Sequence, residues 1–373
     1  MAAVFFFGPM ADARLRRVVL GRDVPVQPAR LPGHGLLGTH HGARAALKSG
    51  GGDVGGWVAR GLGQGDLDRI AHHEIGPATE ADLALHDGDL SALIWPGFAA
   101  AAGDQVWSPE LWNARWADTV IAAAADIMAL FGIRRPEEIA ARYSQMLVRA
   151  GAGLRAGAAG HTTLRRARQA GDTAETARRQ PYAAYFAVEE YDLRFRRFDG
   201  SMSESLTRAV FISGDAAVVL PYDPPRDRVL VIEQWRAGPH ARGDSQPWLI
   251  EAVAGRIDGG ETPEEAALRE AREEAGLTLG RLIPAASYYP SPAAKGEYLY
   301  TFIGLADLPD SAAGLGGLPG EGEDIRAHVI PFSRLEEMIG TGEVNNAPLI
   351  LLALWLAPRR AALQSAVQAG RGG

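Results

Sequence analysis

The sequence has no cysteine in 373 residues. That excludes disulfides, thiolate nucleophiles and Cys-ligated zinc, and it fits a reducing cytoplasm. No run of 18 or more apolar residues occurs, so no membrane-spanning helix and no membrane partner is expected. The richest stretch, Ala347 to Ala357, is too short to span and reads as a core helix. The apolar start, Met1 to Phe7, has no basic flank and runs quickly into Asp12 and Arg14, so it reads as a buried strand rather than a targeting segment. Positive charge is also scarce: 38 Lys and Arg stand against 45 Asp and Glu, a net −7. Such a chain has no overall field for nucleic acid, and a small anionic substrate would need a metal to neutralise it locally.

The length exceeds one ordinary core, so two domains and a connection are expected. Residues 1–140 carry a strand at Val4 to Phe7, a helix at Asp12 to Leu20, a Gly-rich loop or hairpin at Ser49 to Gly56, and a Trp-containing helical region from Ser108 to Phe131. Residues 141–181 are rich in Ala, Arg and Gly and read as a linker with helical pieces. Residues 182–373 alternate short β-branched runs with turns. Strands are expected at Glu189 to Phe198, Thr207 to Ser213, Ala216 to Pro221, Arg228 to Gln234, Leu282 to Tyr289, Glu297 to Ala306 and Ile325 to Pro331. Helices are expected at Pro263 to Ala275, Ser333 to Ile339 and Ala347 to Leu356. The pattern is α+β with a mixed sheet.

The chemistry concentrates in Gly255 to Leu277, GRIDGGETPEEAALREAREEAGL. Thr262 is placed as N-cap, Pro263 as N1 and Glu265 as N3 of a capping box, and Gly276 as the left-handed residue that ends the helix. Glu270, Glu273 and Glu274 stand at i, i+3 and i+4, hence on one face, about 5–6 Å apart at Cβ. Like charges so placed destabilise a bare helix. A hard divalent cation, Mg²⁺ or Mn²⁺, would remove the repulsion.

The segment matches every fixed position of G-x5-E-x7-R-E-U-x-E-E-x-G-U, where U is apolar, through Gly255, Glu261, Arg269, Glu270, Glu273, Glu274 and Gly276. It therefore resembles the Nudix hydrolases strongly. The resemblance implies an α/β/α sandwich around a mixed sheet and metal-assisted hydrolysis of a nucleoside diphosphate linked to another group. It implies Glu270 and Glu274 as the main metal ligands, Glu273 beside them, and the carbonyl of Ala254 as a further ligand. Arg269 pairs with Glu261 structurally. The surroundings resemble the ADP-ribose pyrophosphatases: the lead-in Trp248 to Asp258, the Tyr289-Pro-Ser-Pro-Ala293 element, the acidic loop Glu321 to Arg326, and Phe198-Asp-Gly200 with Glu233 to Arg236. This implies Glu321 as general base and Glu323 as metal ligand, with the two exchangeable. Arg236 and Glu251 become substrate-binding residues, with Pro292 in the substrate loop. Arg208 would reach a partner subunit's site, which implies a homodimer. Trp235 either stacks on adenine or packs in the core, and Glu297 either supports the metal or is solvated. Ala293 stands where the subfamily has Gly, which predicts an altered loop. The expected reaction takes ADP-ribose to AMP and ribose 5-phosphate. Another nucleotide sugar or dinucleotide, or sensing of ADP-ribose without turnover, are the alternatives.

At the other end, Phe5-Phe-Phe-Gly-Pro-Met10 and Gly61 to Glu74 resemble γ-glutamylcyclotransferase-like proteins. The resemblance implies a small mixed β-barrel/α domain with Glu74 as acid/base. Phe7 and Pro9 depart from the family's Tyr and Ser/Thr, which implies a degenerate, inactive domain. The two-domain combination resembles tellurite-resistance-associated Nudix proteins. Gly42 to Ser49 misses the second Gly of a Walker A loop at Leu47, so no phosphate cradle is expected there. His40-His41 and His72-His73 point in alternating directions and make poor chelates. Trp112 and Trp116 read as packing.

Overall fold

A computed structural model describes residues 1–86, 88–97, 102–157, 162–318, 320 and 322–371. Two compact units emerge: Met1–Arg166 with Asp258–Gly260, and Ala167–Ile257 with Glu261–Gly373. The stretch expected as a linker contributes a helix to the first unit and a strand to the second.

The first unit has strands β1 (Ala2–Phe6), β2 (Gln27–Thr39), β3 (Arg44–Leu62), β4 (Thr79–Leu85), β5 (Gly88–Ile94) and β6 (Ala102–Val106). Its helices are α1 (Ala13–Leu20), α2 (Gln64–Glu74), α3 (Pro109–Arg115), α4 (Ala117–Ala129), α5 (Pro136–Ala140) and α6 (Tyr143–Ala156). Asp12 caps α1 by accepting from the N–H of Arg14 and Leu15. Strand alternation sorts β1 between two cores. Val4 and Phe6 pack with Leu15, Trp112, Trp116 and Tyr143, whereas Phe5 and Phe7 pack with Leu31, Val54 and Leu83.

The expected N-terminal β-barrel is not what forms. The strands make a six-stranded sheet in the order β3-β1-β5-β4-β2-β6, ending on β6, with β2 also paired to β3. The physical reason lies in strand length and pairing. Strands β2 and β3 are 13 and 19 residues long and spend their pairing on each other as a long hairpin. Two seams that a small closed barrel needs hold one registered pair each, Val4↔Leu93 and Arg30↔Ala84.

The second unit contains β7 (Thr173–Ala183), β8 (Ala187–Phe195), β9 (Leu206–Ile212), β10 (Ala216–Asp223), β11 (Arg228–Trp235), α7 (Ala237–Arg242), β12 (Trp248–Glu251), β13 (Val253–Arg256) and α8 (Pro263–Ala275). After these come β14 (Leu282–Pro284), β15 (Lys295–Gly296), β16 (Leu299–Leu305), β17 (Gly314–Gly316), β18 (Ile325–Pro331), α9 (Phe332–Thr341), α10 (Ala347–Leu356) and α11 (Arg360–Arg371). An eight-stranded mixed sheet runs β14-β16-β10-β11-β18-β17, with β12 on β11 and β13 on β10. Strands β10 and β16 pair in parallel. The central strands are apolar on both faces, as burial of both faces requires. Ala217, Val219, Leu230 and Ile232 face the core of α8, and Val218, Leu220, Val229 and Val231 face that of α9 and α10. Strands β15, β9, β8 and β7 form a separate four-stranded sheet.

Candidate functional site

Helix α8 begins and ends where its sequence dictates. Thr262 Oγ1 accepts from Glu265 N, Glu265 Oε2 accepts from Thr262 N, and Gly276 closes the helix at φ 62°. Ala266, Ala267 and Ala271 are fully buried against the sheet, and these small residues let the helix approach it closely. The same face turns Glu270 and Glu274 inward, with 9% and 2% of their surface exposed.

Strand β13 supplies the opposite wall. Ala254 N donates to Glu274 Oε2 at 3.0 Å. A Cβ on Gly255 would stand 1.8 Å from Glu270 Oε1, so this position has no room for any side chain while Glu270 keeps its place.

Arg269 ties the segment together. Nε and Nη2 donate to Glu261 Oε1 and Oε2, each at 2.9 Å, in a forked pair. Nη2 also donates to the Arg256 carbonyl at 3.0 Å. Nη1 donates to Glu270 Oε1 at 2.7 Å and Glu273 Oε2 at 2.9 Å. The Glu261–Arg269 pairing expected from sequence is thus present and extends to two more carboxylates. Arg269→Lys keeps the charge but loses the fork. It is expected to destabilise the second unit by about 1–3 kcal/mol, as checked by denaturant unfolding; an unchanged midpoint would show that the fork does not hold the segment.

Burial pushes the Glu270 carboxyl up to about 7, against the pull of Arg269; the neighbouring charges of Glu273 and Glu323 add to the rise. Burial also pushes Glu274 up to about 8, against the Ala254 N–H, with Glu270 and Glu323 adding and Arg236 opposing. Glu323 thus acts electrostatically on both helix carboxylates and Arg236 on Glu274. Glu323 Oε2 accepts from Leu318 N at 3.1 Å. Just before this loop, Gly317 N donates to the Glu273 carbonyl at 3.2 Å. Glu321 lies outside the described residues.

Crowded, buried carboxylates with oxygen-only donors are what a hard divalent cation binds. Among the described residues, no three acidic or imidazole groups stand together as a finished metal cage. Arg269 and the Ala254 N–H hold oxygens of Glu270, Glu273 and Glu274, so a cation would have to displace some of these bonds.

The other expected residues are distributed around this face. Arg236 Nε donates to Glu251 Oε2 at 2.7 Å, so the two are partners. Trp235 is exposed and pairs across the strands with exposed Trp248. That disposes of core packing; the Trp235 ring is partly flanked by that of His240, with centroids 5.6 Å apart. Glu297 accepts from Ser213 Oγ and Lys295 Nζ, both at 2.8 Å, a local network in place of the helix cluster. Arg208 lies exposed on β9 and donates to the Thr207 carbonyl. Pro292 is exposed in a turn in which the Ser291 carbonyl accepts from Ala294 N and Lys295 N. Ala293 stays out of the left-handed region, so this turn does not need the glycine. Glu74 lies in the first unit, where its Oε1 is 2.8 Å from His73 Nδ1.

Sequence reasoning missed the Arg236–Glu251 bond, the reach of Arg269 to Glu270 and Glu273, and the Glu233–His328 contact at 2.9 Å. The spacing of Arg269 and Glu273, i and i+4, was the available signal for one of these. The rest depend on sheet register.

Residues 213–351 match the NUDIX domain. The chain is 39% identical over 189 residues to the ADP-ribose pyrophosphatase of Escherichia coli (strain K12), covering 51% of this chain and 90% of that protein. It is 35% identical over 185 residues to the ADP-ribose pyrophosphatase of Haemophilus influenzae, covering 49% of this chain and 85% of that protein. It is also 33% identical over 172 residues to a GDP-mannose pyrophosphatase of Escherichia coli, covering 46% and 88%.

Proposed function

The chain belongs to the Nudix family, and from that premise we propose that it is an ADP-ribose pyrophosphatase dependent on Mg²⁺ or Mn²⁺. Water adds across the pyrophosphate of ADP-ribose, breaking one P–O bond, to give AMP and ribose 5-phosphate. The observation that carries this reading is the buried pair Glu270 and Glu274, packed under Gly255 and acted on electrostatically by Glu323. The likeness to ADP-ribose pyrophosphatases over nearly their whole length supports the substrate.

Glu270, Glu274, Glu323 and the Ala254 carbonyl would hold the cation, with Glu273 adjacent. When bound, it offsets the charge of the pyrophosphate and acidifies water. Glu321 or Glu323 takes the proton from the attacking water. Arg236, oriented through Nε by Glu251, still has two nitrogens with which to bind a phosphate. Trp235 offers an exposed face to adenine, and the turn at Pro292 borders the sugar. Glu297 acts as a support to the site through Ser213 and Lys295.

The same reading makes the protein a cytoplasmic homodimer with no nucleic-acid partner, in which Arg208 serves a partner's site. For the first unit it proposes a degenerate γ-glutamylcyclotransferase-like ancestry centred on Glu74; the NUDIX match does not extend there.

The test is a panel of ADP-ribose, GDP-mannose and dinucleotides with Mg²⁺, compared by kcat/KM. ADP-ribose is expected to exceed GDP-mannose by about 10-fold or more, the effect of one or two contacts to the base. The reverse order would place this chain with the GDP-mannose enzymes. Removing metal with a chelator should abolish turnover and restoring Mg²⁺ should return it; activity that persists in chelator would contradict the metal requirement.

A further inference from the structure

The first unit is not one stretch of chain. It includes three residues from far along the sequence, Asp258, Gly259 and Gly260. These lie inside the hydrolase motif, between its fixed Gly255 and Glu261. The motif leaves all three positions open, so the two glycines answer to something else.

They answer to a seat made by helices of the first unit. A Cβ on Gly259 would stand 2.8 Å from Leu147 Cβ and 3.1 Å from Trp116 Cζ3. Gly259 lies outside the left-handed region, so contact alone excludes a side chain there. A Cβ on Gly260 would stand 3.1 Å from Trp116 Cε2 and Cζ2 and 3.2 Å from Cδ2. Cε2 and Cδ2 are the ring-fusion carbons, so the loop approaches the face of the indole. Gly260 also has φ 79°, which glycine reaches at little cost.

The seat is firmly held. Trp116 and Leu147 are buried. Trp116 joins two helices: its N donates to the Trp112 carbonyl and its carbonyl accepts from Val120 N, both at 2.8 Å. Beside the indole runs the turn at Gly42, where a Cβ would stand 3.4 Å from Trp116 Nε1. That turn is fixed in its own right. Trp107 Nε1 donates to the Gly42 carbonyl at 3.2 Å and Trp112 Nε1 to the Ala43 carbonyl at 3.1 Å.

Glu261 follows Gly260 directly. Its carboxylate accepts the forked pair from Arg269, whose Nη1 donates to Glu270 Oε1 at 2.7 Å. A shift of the loop is therefore passed through two charge-assisted links to a carboxylate of the buried pair. Resting on the metal-hydrolase reading above, we infer that Trp116 and Leu147 are positioning residues for hydrolysis. They set the motif's loop and, through Glu261 and Arg269, the place of Glu270. Trp116 packs as its spacing suggests, but part of what it packs on is the motif.

Variants of the full chain test this from both sides of the contact. Gly259→Ala and Trp116→Leu are each expected to lower kcat for ADP-ribose by about 10-fold. Each should also weaken Mg²⁺ binding, read by calorimetry, by about 10-fold, the cost of losing an outer partner of a metal ligand. KM at saturating Mg²⁺ should stay within about 2-fold, because no ground-state contact to the substrate is removed. Trp116→Phe keeps a flat ring under the loop and should keep most of both properties. A ring that served only to pack its own unit would lower the melting temperature and leave kcat and Mg²⁺ affinity of the folded variant unchanged; that result overturns the inference. A loss confined to Gly259→Ala also overturns it, since the cause would then be the loop's own stiffness. If Trp116→Leu does not fold, Leu147→Ala takes its place with the same expectation. Wild-type protein that neither binds Mg²⁺ nor turns over ADP-ribose would instead bring down the metal-hydrolase reading itself.

Discussion

Glu274→Gln is expected to remove nearly all hydrolysis and, at the same time, to stabilise the protein. The two effects have separate causes. Loss of an outer partner of a metal ligand already costs about 10–100-fold, so loss of a ligand oxygen's charge should lower kcat by about 100-fold or more. The stability gain comes from burial. Glu274 is 2% exposed, and its carboxyl is pushed up to about 8, so holding it ionised in the folded state opposes folding. The sign follows from linkage: with the folded value above the ordinary 4.5, the unfolded chain releases its proton first. Stability from this group therefore falls as pH rises from 4.5 toward 8. Gln is neutral throughout, so in chelator the variant should gain most above pH 8 and nothing well below 4.5. A gain of about 2 kcal/mol corresponds to about 4–8 °C in melting temperature. A variant that is inactive but less stable at every pH would mean that the side chain's hydrogen bond to Ala254 outweighs its buried charge.

Gly255→Ala should be nearly as damaging to activity although it touches no charge. Its Cβ would lie 1.8 Å from Glu270 Oε1 and 2.1 Å from the carboxyl carbon, well inside any real contact. Glu270 must move, and Arg269 with it, because Nη1 is bonded to that oxygen. A misplaced reacting group of about 1 Å costs on the order of 100-fold, and the overpacking itself about 1–3 kcal/mol. Kinetics should show the loss in kcat with the affinity for Mg²⁺ weakened. Gly255→Ala with wild-type kinetics would mean that the carboxylate has room the geometry denies it.

How far these positions could be read from sequence depended on whether local chemistry decided them. Helix α8 was legible from Thr262 to Gly276 because each terminus carries its own cap. Strand β18 and helix α10 likewise run as their apolar patterns require. The hairpin of β2 and β3 was legible only in part. Ser49 to Gly56 read as a loop or hairpin, and Gly50 to Gly52 do sit at a break in the pairing, between Pro32↔Asp53 and His34↔Ser49, with positive φ. The length of the pairing from Gln27↔Val58 to Thr39↔Arg44 carried no local signal. Its pairing also explains why the small barrel gave way to a sheet ending on β6. The expected strand at Leu282 to Tyr289 shrinks to Leu282–Pro284, with Tyr288 keeping a lone bridge to Leu299. Within the site, i, i+3, i+4 spacing put the helix carboxylates on one face, and only the surrounding motif from Gly255 to Gly276 made them site candidates. Arg236 meeting Glu251, and Gly316 packing on the Glu274 carbonyl, where a Cβ would come within 2.0 Å, were not. Those contacts join segments whose register only the folded sheet sets.

The measurement that tests the central claim most directly is ³¹P NMR of ADP-ribose incubated with the full chain and Mg²⁺. The pyrophosphate signals should disappear, with AMP and ribose 5-phosphate appearing in equal amounts. Pyrophosphate signals that persist in the presence of folded protein and Mg²⁺ would contradict it.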